Sequence, residues 1–338
     1  MQLIEPSGLL SGASARAAIR AGHALPLAGG PLAFSLVRLV GSPGPVPVRQ
    51  IPPAWQDALD QLTRQRPAWA GLTLDRPAVM GVLNLTADSF SDGGRYPDAE
   101  AAIAAGLAMA DAGADIIDVG GESTRPGATP VPAVVEQARV LPVVAALAQR
   151  RHRVSIDTRN ASTMAAALES GAEIVNDVSA LCHDAAAAPL IAARGCPVIL
   201  MHMRGTPETM NREAVYDDVA TTVTRELHER VRTALGAGIA ADRIALDPGI
   251  GFAKTGLHNL ELLAKLPLLL NLGYPLLVGV SRKAFIGQIG GESRPDRRDW
   301  GSLAAGLHAL AHGASILRVH DVKGTVQAVR VWDALIRP

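Results

Sequence analysis

The apolar run Val79-Met-Gly-Val-Leu-Asn84 is followed by the Ala/Leu-rich segment 99–112 and then by a second apolar run, Asp115-Ile-Ile-Asp-Val119. Short apolar runs separated by segments of helix length are typical of parallel strands that helices cover. The later runs are Val154–Asp157, Ile174–Val175, Pro197–Met201, Ile244–Asp247, Pro275–Val280 and Ile316–Val319. Strand–helix units in such a series predict an α/β fold, a (β/α)8 TIM barrel, with a doubly wound sheet as the weaker alternative.

Residues 1–70 lack this alternation, and we predict that they form an N-terminal extension of unknown role before a barrel at 71–338. The stretch Gly41-Ser-Pro-Gly-Pro-Val-Pro-Val48 predicts a linker or an extended edge, because proline fixes φ and removes an amide donor. A short helical pattern follows through Trp55, Leu59 and Leu62. We expect a packing or oligomerisation element there, since the region carries no motif with chemistry.

Composition narrows the class of protein. The 338 residues are 48% hydrophobic and 19% charged with a formal net charge of zero, which argues against a nucleic-acid partner. Two cysteines, Cys182 and Cys196, are too few for a disulfide framework or a thiolate metal cluster. No apolar run is long enough for a membrane span, and the N-terminus lacks the pattern of a signal peptide, so the cytoplasm is the expected location.

Polar side chains recur at the carboxyl ends of the predicted strands. These residues are Asn84, Asp118, Asp157, Asn176, His202, Asp247, Lys283, Arg318 and His320. A barrel builds its active site from the carboxyl ends of its strands, whereas a structural protein has little use for acids, amides and cations there. The pattern therefore predicts an enzyme with its site at this rim.

Two loops at the rim carry the most specific chemistry. The first, Gly81-Val-Leu-Asn-Leu-Thr-Ala-Asp-Ser-Phe-Ser-Asp-Gly-Gly94, starts at Asn84, whose amide oxygen could coordinate Mg²⁺ together with substrate phosphate. The second, Asp118-Val-Gly-Gly-Glu-Ser-Thr-Arg-Pro-Gly127, offers the hydroxyl of Thr124 and the guanidinium of Arg125 to phosphate oxygens.

These two loops together resemble the dihydropteroate synthase family. The resemblance continues in order through Ser155-Ile-Asp-Thr158, Asn176-Asp-Val178, Met201-His-Met-Arg-Gly-Thr-Pro207, Asp247-Pro-Gly-Ile-Gly-Phe252, Ser281-Arg-Lys283 and Arg318-Val-His-Asp-Val322, and it covers about residues 78–338. One departure is Ala87, where the family usually has proline. The resemblance implies a transferase of folate biosynthesis that condenses 6-hydroxymethyl-7,8-dihydropterin diphosphate with p-aminobenzoate and releases diphosphate.

The resemblance also implies roles for individual residues. The pterin pocket would consist of Asp157, Asn176, Asp247 and Lys283, with apolar walls from Val82, Met201 and Phe252. The diphosphate would bind to Thr124, Arg125, Arg318 and His320, with Mg²⁺ on Asn84. The aminobenzoate would lie against Phe252, Ser281 and Lys283, and the catalytic group would be Lys283, Arg318 and Asp157. His202 and Arg204 are expected to have structural or supporting roles.

The residue chemistry agrees with this assignment. A pterin edge presents amino and ring N–H donors beside nitrogen and carbonyl acceptors, which carboxylates, an amide and a lysine can pair. A homodimer is also expected, because barrels of this family tend to pair. The alternatives are a pterin-binding methyltransferase barrel, which has no use for the Ser-Thr-Arg loop, and a non-catalytic pterin-binding protein, in which Asn84, Arg125 or Lys283 would be lost.

Overall fold

A small antiparallel sheet forms most of the N-terminal region in this computed structural model, which describes residues 1–85, 99–123 and 127–337. Its elements are β1 (Ile4–Leu10), α1 (Gly12–Arg20), β2 (Leu25–Pro26), β3 (Ala33–Leu39), β4 (Pro45–Pro47) and α2 (Gln56–Thr63). β3 pairs with β1 on one side and with β2 and β4 on the other. The Gly/Pro-rich stretch therefore ends in an edge strand, where a missing amide donor is tolerated.

The extension packs against the 3-10 helix Leu266–Leu272 of the barrel. The buried Asn271 side chain links the two parts: its Oδ1 accepts from Ile4 N at 3.0 Å, and its Nδ2 donates to Ile4 O at 2.7 Å. The Arg66 guanidinium adds a bond to Leu270 O at 2.6 Å. These bonds satisfy polar groups that burial would otherwise leave unpaired, so the extension is fixed on the barrel wall. Its role and the predicted boundary at residue 70 stay predictions.

Eight parallel strands make up the second sheet, in the order β10-β9-β8-β7-β6-β5-β12-β11. They are β5 (Ala78–Asn84), β6 (Ile116–Gly120), β7 (Val154–Asp157), β8 (Ile174–Asp177), β9 (Val198–Met201), β10 (Ile244–Asp247), β11 (Leu277–Val278) and β12 (Ile316–Val319). A bridge between Leu246 and Leu276 joins the two ends of this order. The sheet is therefore closed, and the predicted TIM barrel is confirmed.

Helices follow the strands and cover the outside of the barrel. They are α3 (Ala99–Asp111), α4 (Ala133–Gln149), α5 (Ala161–Glu169), α6 (Ala187–Arg194), α7 (Val219–Gly236), α8 (Gly256–Ala264), α9 (Ala284–Gly290), α10 (Asp299–Ala311) and α11 (Val322–Ile336). Side-chain caps start several of them: Asp218 accepts from Thr221 N, Thr255 from His258 N, and Asp321 from Gly324 N. Within the described ranges, no helix is long and apolar enough to cross a membrane.

An apolar layer fills the lower part of the barrel. It consists of Ala78, Met80, Ile116, Ile174, Ile199, Ala245, Leu277 and Ile316, with the Trp69 indole packed in the same cluster. Trp69 Nε1 donates to Arg243 O at 2.9 Å, so the indole is fixed beneath the strands. Because side chains on a strand alternate, the residue two positions beyond each member of this layer points to the same interior. This alternation therefore places the residues at the carboxyl ends of these strands around the same interior.

Candidate active site

Strand pleating brings the predicted pterin residues into one ring at the barrel rim. Asn176, Met201, Asp247 and Arg318 each lie two residues beyond a member of the apolar layer. Asp157 is paired with Asn176 across β7 and β8, and Asp247 is paired with Met201 across β9 and β10. The strand ends thus place acids, an amide and a guanidinium around one opening.

Arg318 is the centre of this ring. Its Nε donates to Asp118 Oδ2 and its Nη2 donates to Asp157 Oδ2, each at 2.7 Å. Asn176 Nδ2 donates to the same Asp118 oxygen at 3.1 Å. Asp118 is among the residues predicted at the rim, but no role is predicted for it. The signal was available, since Asp118 lies two residues beyond Ile116 in the same register as the other site residues.

Burial and charge oppose each other in this cluster. Burial raises the pKa of Asp157 to about 7, and the carboxylate of Asp118 adds to the rise, while the Arg318 guanidinium lowers it. Burial acts to lower the pKa of Arg318, but Asp118 and Asp157 outweigh that effect and raise it. Arg318 is therefore permanently charged. Asp118 Oδ1 is buried with no hydrogen-bond partner among the described residues, so this oxygen is an available acceptor for a bound donor.

The turn after β10 forms the opposite wall. Asp247 Oδ1 accepts from Gly249 N at 2.7 Å, which shapes the turn from within. Burial raises the pKa of Asp247, while Gly249 N–H and the cations Lys283 and Arg318 oppose the rise. Phe252 lies at the end of the turn, and Lys283 Nζ sits 4.3 Å from the centroid of its ring. This distance is typical of a cation–π contact, so the turn brings an acid, an aromatic face and an ammonium together.

The last strand brings Ser281 and His320 into contact. Ser281 Oγ lies 2.9 Å from His320 Nδ1 and accepts from His320 N at 3.1 Å. Both residues belong to the predicted site, to its aminobenzoate and diphosphate parts respectively. The residues predicted for these two parts therefore adjoin at the end of β12.

Asn84 ends β5 and lies beside Gly120, which in turn pairs with Asp157. A Cβ at Gly120 would lie 3.4 Å from Asp157 Cβ and 3.6 Å from Asn84 Oδ1, so Gly120 lies between these two side chains at ordinary contact distance. Within the described ranges, no group of His, Cys, Asp and Glu is arranged to hold a metal. A single amide oxygen fits Mg²⁺ only where substrate phosphate and water supply most ligands, which is a common arrangement for this ion. The predicted diphosphate ligands Thr124 and Arg125, and the loop 86–98, lie outside the described residues.

His202 and Arg204 share one carboxylate, that of Glu226 on α7. His202 Nε2 lies 2.8 Å from Glu226 Oε2, and Arg204 Nε lies 3.1 Å from Glu226 Oε1. Lys254 Nζ lies 2.9 Å from His202 Nδ1. An ammonium can only donate, so Nδ1 accepts, and the proton on Nε2 is donated to Glu226. These contacts suit the supporting role predicted for His202 and Arg204.

His202 is expected to make the protein sensitive to acid. Burial lowers its pKa to about 4, and the charge of Lys254 adds to the effect against the opposing Glu226. Between pH 4 and 6.5 this imidazole then binds a proton more readily in the unfolded chain than in the folded chain, so its contribution to stability falls on acidification. A drop of about 3 kcal/mol in the free energy of unfolding is expected from this group between pH 7 and pH 4. Burial of Asp157 acts in the opposite sense over this pH range, so urea unfolding tests the His202 contribution by comparison with a variant that lacks the imidazole.

The variant His202→Gln supplies the comparison. A glutamine can accept from Lys254 and donate to Glu226 as the neutral imidazole does, yet it does not titrate. The gap in unfolding free energy between parent and H202Q should therefore change by about 3 kcal/mol from pH 7 to pH 4. A gap that is constant over this range would contradict the assigned protonation state.

The barrel, its ring of acids and the adjoining cations define a class, that of enzymes that bind a pterin at the rim of a (β/α)8 barrel. The model of the family "Pterin binding enzyme" matches residues 80–320. A dihydropteroate synthase of Neisseria meningitidis serogroup C is 48% identical over 265 residues, which is 78% of this chain and 94% of that protein.

Solved structures agree with the sequence comparison. The Xanthomonas albilineans dihydropteroate synthase with 4-aminobenzoic acid is 49% identical, has a TM-score of 0.74, and is matched over 78% of this chain and 96% of that chain. The same organism's enzyme in complex with 7,8-dihydropteroate is 46% identical with a TM-score of 0.71, over 78% of this chain and 95% of that chain. The chain belongs to the dihydropteroate synthase family, transferases of folate biosynthesis.

Proposed function

We propose that this chain joins 6-hydroxymethyl-7,8-dihydropterin diphosphate to p-aminobenzoate, with the residues at the rim in the roles given below. The observation that carries the proposal is the arrangement in which Arg318 bridges the buried carboxylates of Asp118 and Asp157 beside Asn176. Buried charges at a barrel rim are costly unless they are paired or meet a ligand. The unpartnered Oδ1 of Asp118 is the part of this cluster that still lacks a donor among the described residues.

The pterin ring is assigned to the opening between Asp157, Asn176 and Asp247. Carboxylates accept from the ring amino and N–H groups, and the Asn176 amide can both donate and accept. Lys283 is assigned to the ring acceptors, with Val82, Met201 and Phe252 as apolar walls. Val82 and Met201 are buried, so they can exclude water from a flat heterocycle.

The diphosphate is assigned to Arg318 and His320, together with Thr124 and Arg125. Two nitrogen atoms of Arg318 bind Asp118 and Asp157, and the proposal gives this guanidinium a role towards the diphosphate as well as towards these acids. Under this proposal one cation, Arg318, interacts with both the pterin pocket and the diphosphate of the same substrate. Loss of Arg318 is therefore expected to disturb both the pterin and the diphosphate.

The reaction is displacement at the exocyclic methylene of the pterin. The aniline nitrogen attacks this carbon, the carbon–oxygen bond to diphosphate breaks, and the amine gives up a proton. No enzyme nucleophile is needed, so catalysis rests on orienting two reactants and stabilising the departing anion. Phe252, Ser281 and Lys283 are assigned to the aminobenzoate, and the buried acids Asp157 and Asp247 favour positive charge on the ring as diphosphate leaves.

Mg²⁺ is the proposed cofactor, with Asn84 as its protein ligand. When bound, the ion would neutralise charge on the diphosphate. The cytoplasmic location and the homodimer stay predictions. The exposed apolar side chains of Trp300, Val331 and Leu335 on α10 and α11 support pairing, because patches of this kind often mark protein interfaces.

A single assay tests the reaction. The purified chain is mixed with the pterin diphosphate, p-aminobenzoate and Mg²⁺, and diphosphate release is measured together with 7,8-dihydropteroate. Release is expected only when both organic substrates are present, because the amine is the nucleophile. Diphosphate released at the same rate without p-aminobenzoate would indicate a hydrolase and would sink the proposal.

A further inference from the structure

The Lys254 ammonium is buried inside the turn that follows β10. Its Nζ donates to Gly249 O at 3.0 Å, to Phe252 O at 2.9 Å, and to His202 Nδ1 at 2.9 Å. An ammonium has three hydrogens, so these contacts use all of them. The Lys254 ammonium therefore holds the backbone of the turn together by hydrogen bonds from inside it.

The shape of this turn is one that needs support. Gly249 has φ +66° and Gly251 has φ +82°, and Ala253 has φ 47° although it carries a Cβ. Left-handed backbone at a non-glycine residue persists only where the surroundings hold it. A Cβ at Gly249 would lie 2.0 Å from His202 O, so the turn and the end of β9 are also in close contact.

Both ends of the turn carry site residues. Asp247 enters it with Oδ1 bound to Gly249 N, and Phe252 leaves it with its ring beside Lys283. Lys254 binds the carbonyls of Gly249 and Phe252. A change at Lys254 would therefore move the acid and the aromatic wall together, without touching the ligand directly.

A second layer holds Lys254 in place. The other ring nitrogen of His202 is hydrogen-bonded to Glu226. Glu226 lines a cavity of about 780 Å³ beside the rim. Burial lowers the pKa of Lys254 to about 7, while the carboxylates of Asp247 and Glu226 oppose this change. The charged form of Lys254 is therefore favoured by these two carboxylates, while its position is fixed by Gly249 O, Phe252 O and His202 Nδ1.

We propose that Lys254, backed by His202, is a positioning residue for the pterin pocket, holding the turn that carries Asp247 and Phe252. The inference rests on the proposed function, because it concerns the pocket assigned to the pterin. It adds two residues that act through others and do not contact the substrate.

The first test replaces Lys254 with methionine, which keeps the length of the side chain and removes its donors. The dissociation constant for 6-hydroxymethyl-7,8-dihydropterin is measured by calorimetry, beside that for inorganic diphosphate with Mg²⁺. The pterin is expected to bind about 10- to 100-fold more weakly, the usual effect of removing a supporting partner, and the diphosphate about as in the parent. Lys265→Met is the control, since this half-buried lysine pairs with Glu261 and Asp218 instead of with the turn.

The second test changes the hydrogen-bond acceptor that His202 offers to Lys254, and it still decides the question if K254M fails to fold. His202→Gln keeps an acceptor for Lys254, whereas His202→Leu has none. We expect pterin affinity within about twofold of the parent for H202Q and about 10-fold weaker for H202L. Equal affinities in these two variants would overturn the proposal, as would parental affinity in a folded K254M.

The two hypotheses fail in different ways. A parent protein that binds the pterin but releases no diphosphate with both substrates contradicts the proposed reaction, and the positioning role is then decided by pterin affinity alone. A parent that is fully active, with K254M and H202L also at parental pterin affinity, contradicts the positioning role and leaves the reaction standing.

Discussion

Pterin binding is expected to weaken by about 30- to 1000-fold when Asp247 is replaced by asparagine, a loss of about 2–4 kcal/mol. The Asp247 carboxylate is buried and uses Oδ1 for Gly249 N, so Oδ2 is the oxygen proposed to accept from the pterin. The asparagine amide keeps an oxygen for Gly249 N, and its NH2 group would then face the donors of the ring. Calorimetric titration with 6-hydroxymethyl-7,8-dihydropterin measures the change.

The asparagine variant separates ligand recognition from folding of the turn. Asp242→Asn is the matched control, because Asp242 lies in the exposed 3-10 turn before β10 and changes charge in the same way. It should bind the pterin as the parent does. If D247N also retained parental affinity, Asp247 would have no direct role in the pocket.

Replacing Arg318 with methionine is expected to lower the free energy of unfolding by about 3–5 kcal/mol at pH 8, since it leaves the buried carboxylates of Asp118 and Asp157 uncompensated. Without the cation that lowers it, the pKa of Asp157 should rise above its present value of about 7. The folded state would then hold protons that the unfolded state releases above pH 4. The deficit should therefore be largest at high pH and shrink on acidification towards pH 5.

Urea unfolding at pH 5, 6.5 and 8 measures this deficit. Arg76→Met is the control, because the pair between Arg76 and Asp115 is largely exposed at the arginine and is expected to contribute below about 1 kcal/mol at every pH. Activity of R318M should be lost at all three pH values, since the guanidinium is proposed to serve both ends of the pterin diphosphate. A deficit of the same size at pH 5 and pH 8 would show that the carboxylates are not left charged in the variant.

Much of the fold could be predicted because it depends on local patterns. The apolar runs at Val154–Asp157, Ile244–Asp247 and Ile316–Val319 coincide with β7, β10 and β12. The run Pro275–Val280 was less well predicted, since only Leu277–Val278 forms a strand. Pro275 has no amide donor and Gly279 offers no side chain to pack, so both ends of this run are poor strand formers.

Local sequence patterns are enough to predict a barrel with acids, an amide and cations at the carboxyl ends of its strands, because both features follow from alternation along short segments. Which of those groups contact one another depends on the folded structure. The bond from Arg318 to Asp118 spans 200 residues, and that from Lys254 to His202 spans 52. Local periodicity does not predict such contacts. They form because closure of the barrel brings distant strand ends to one rim.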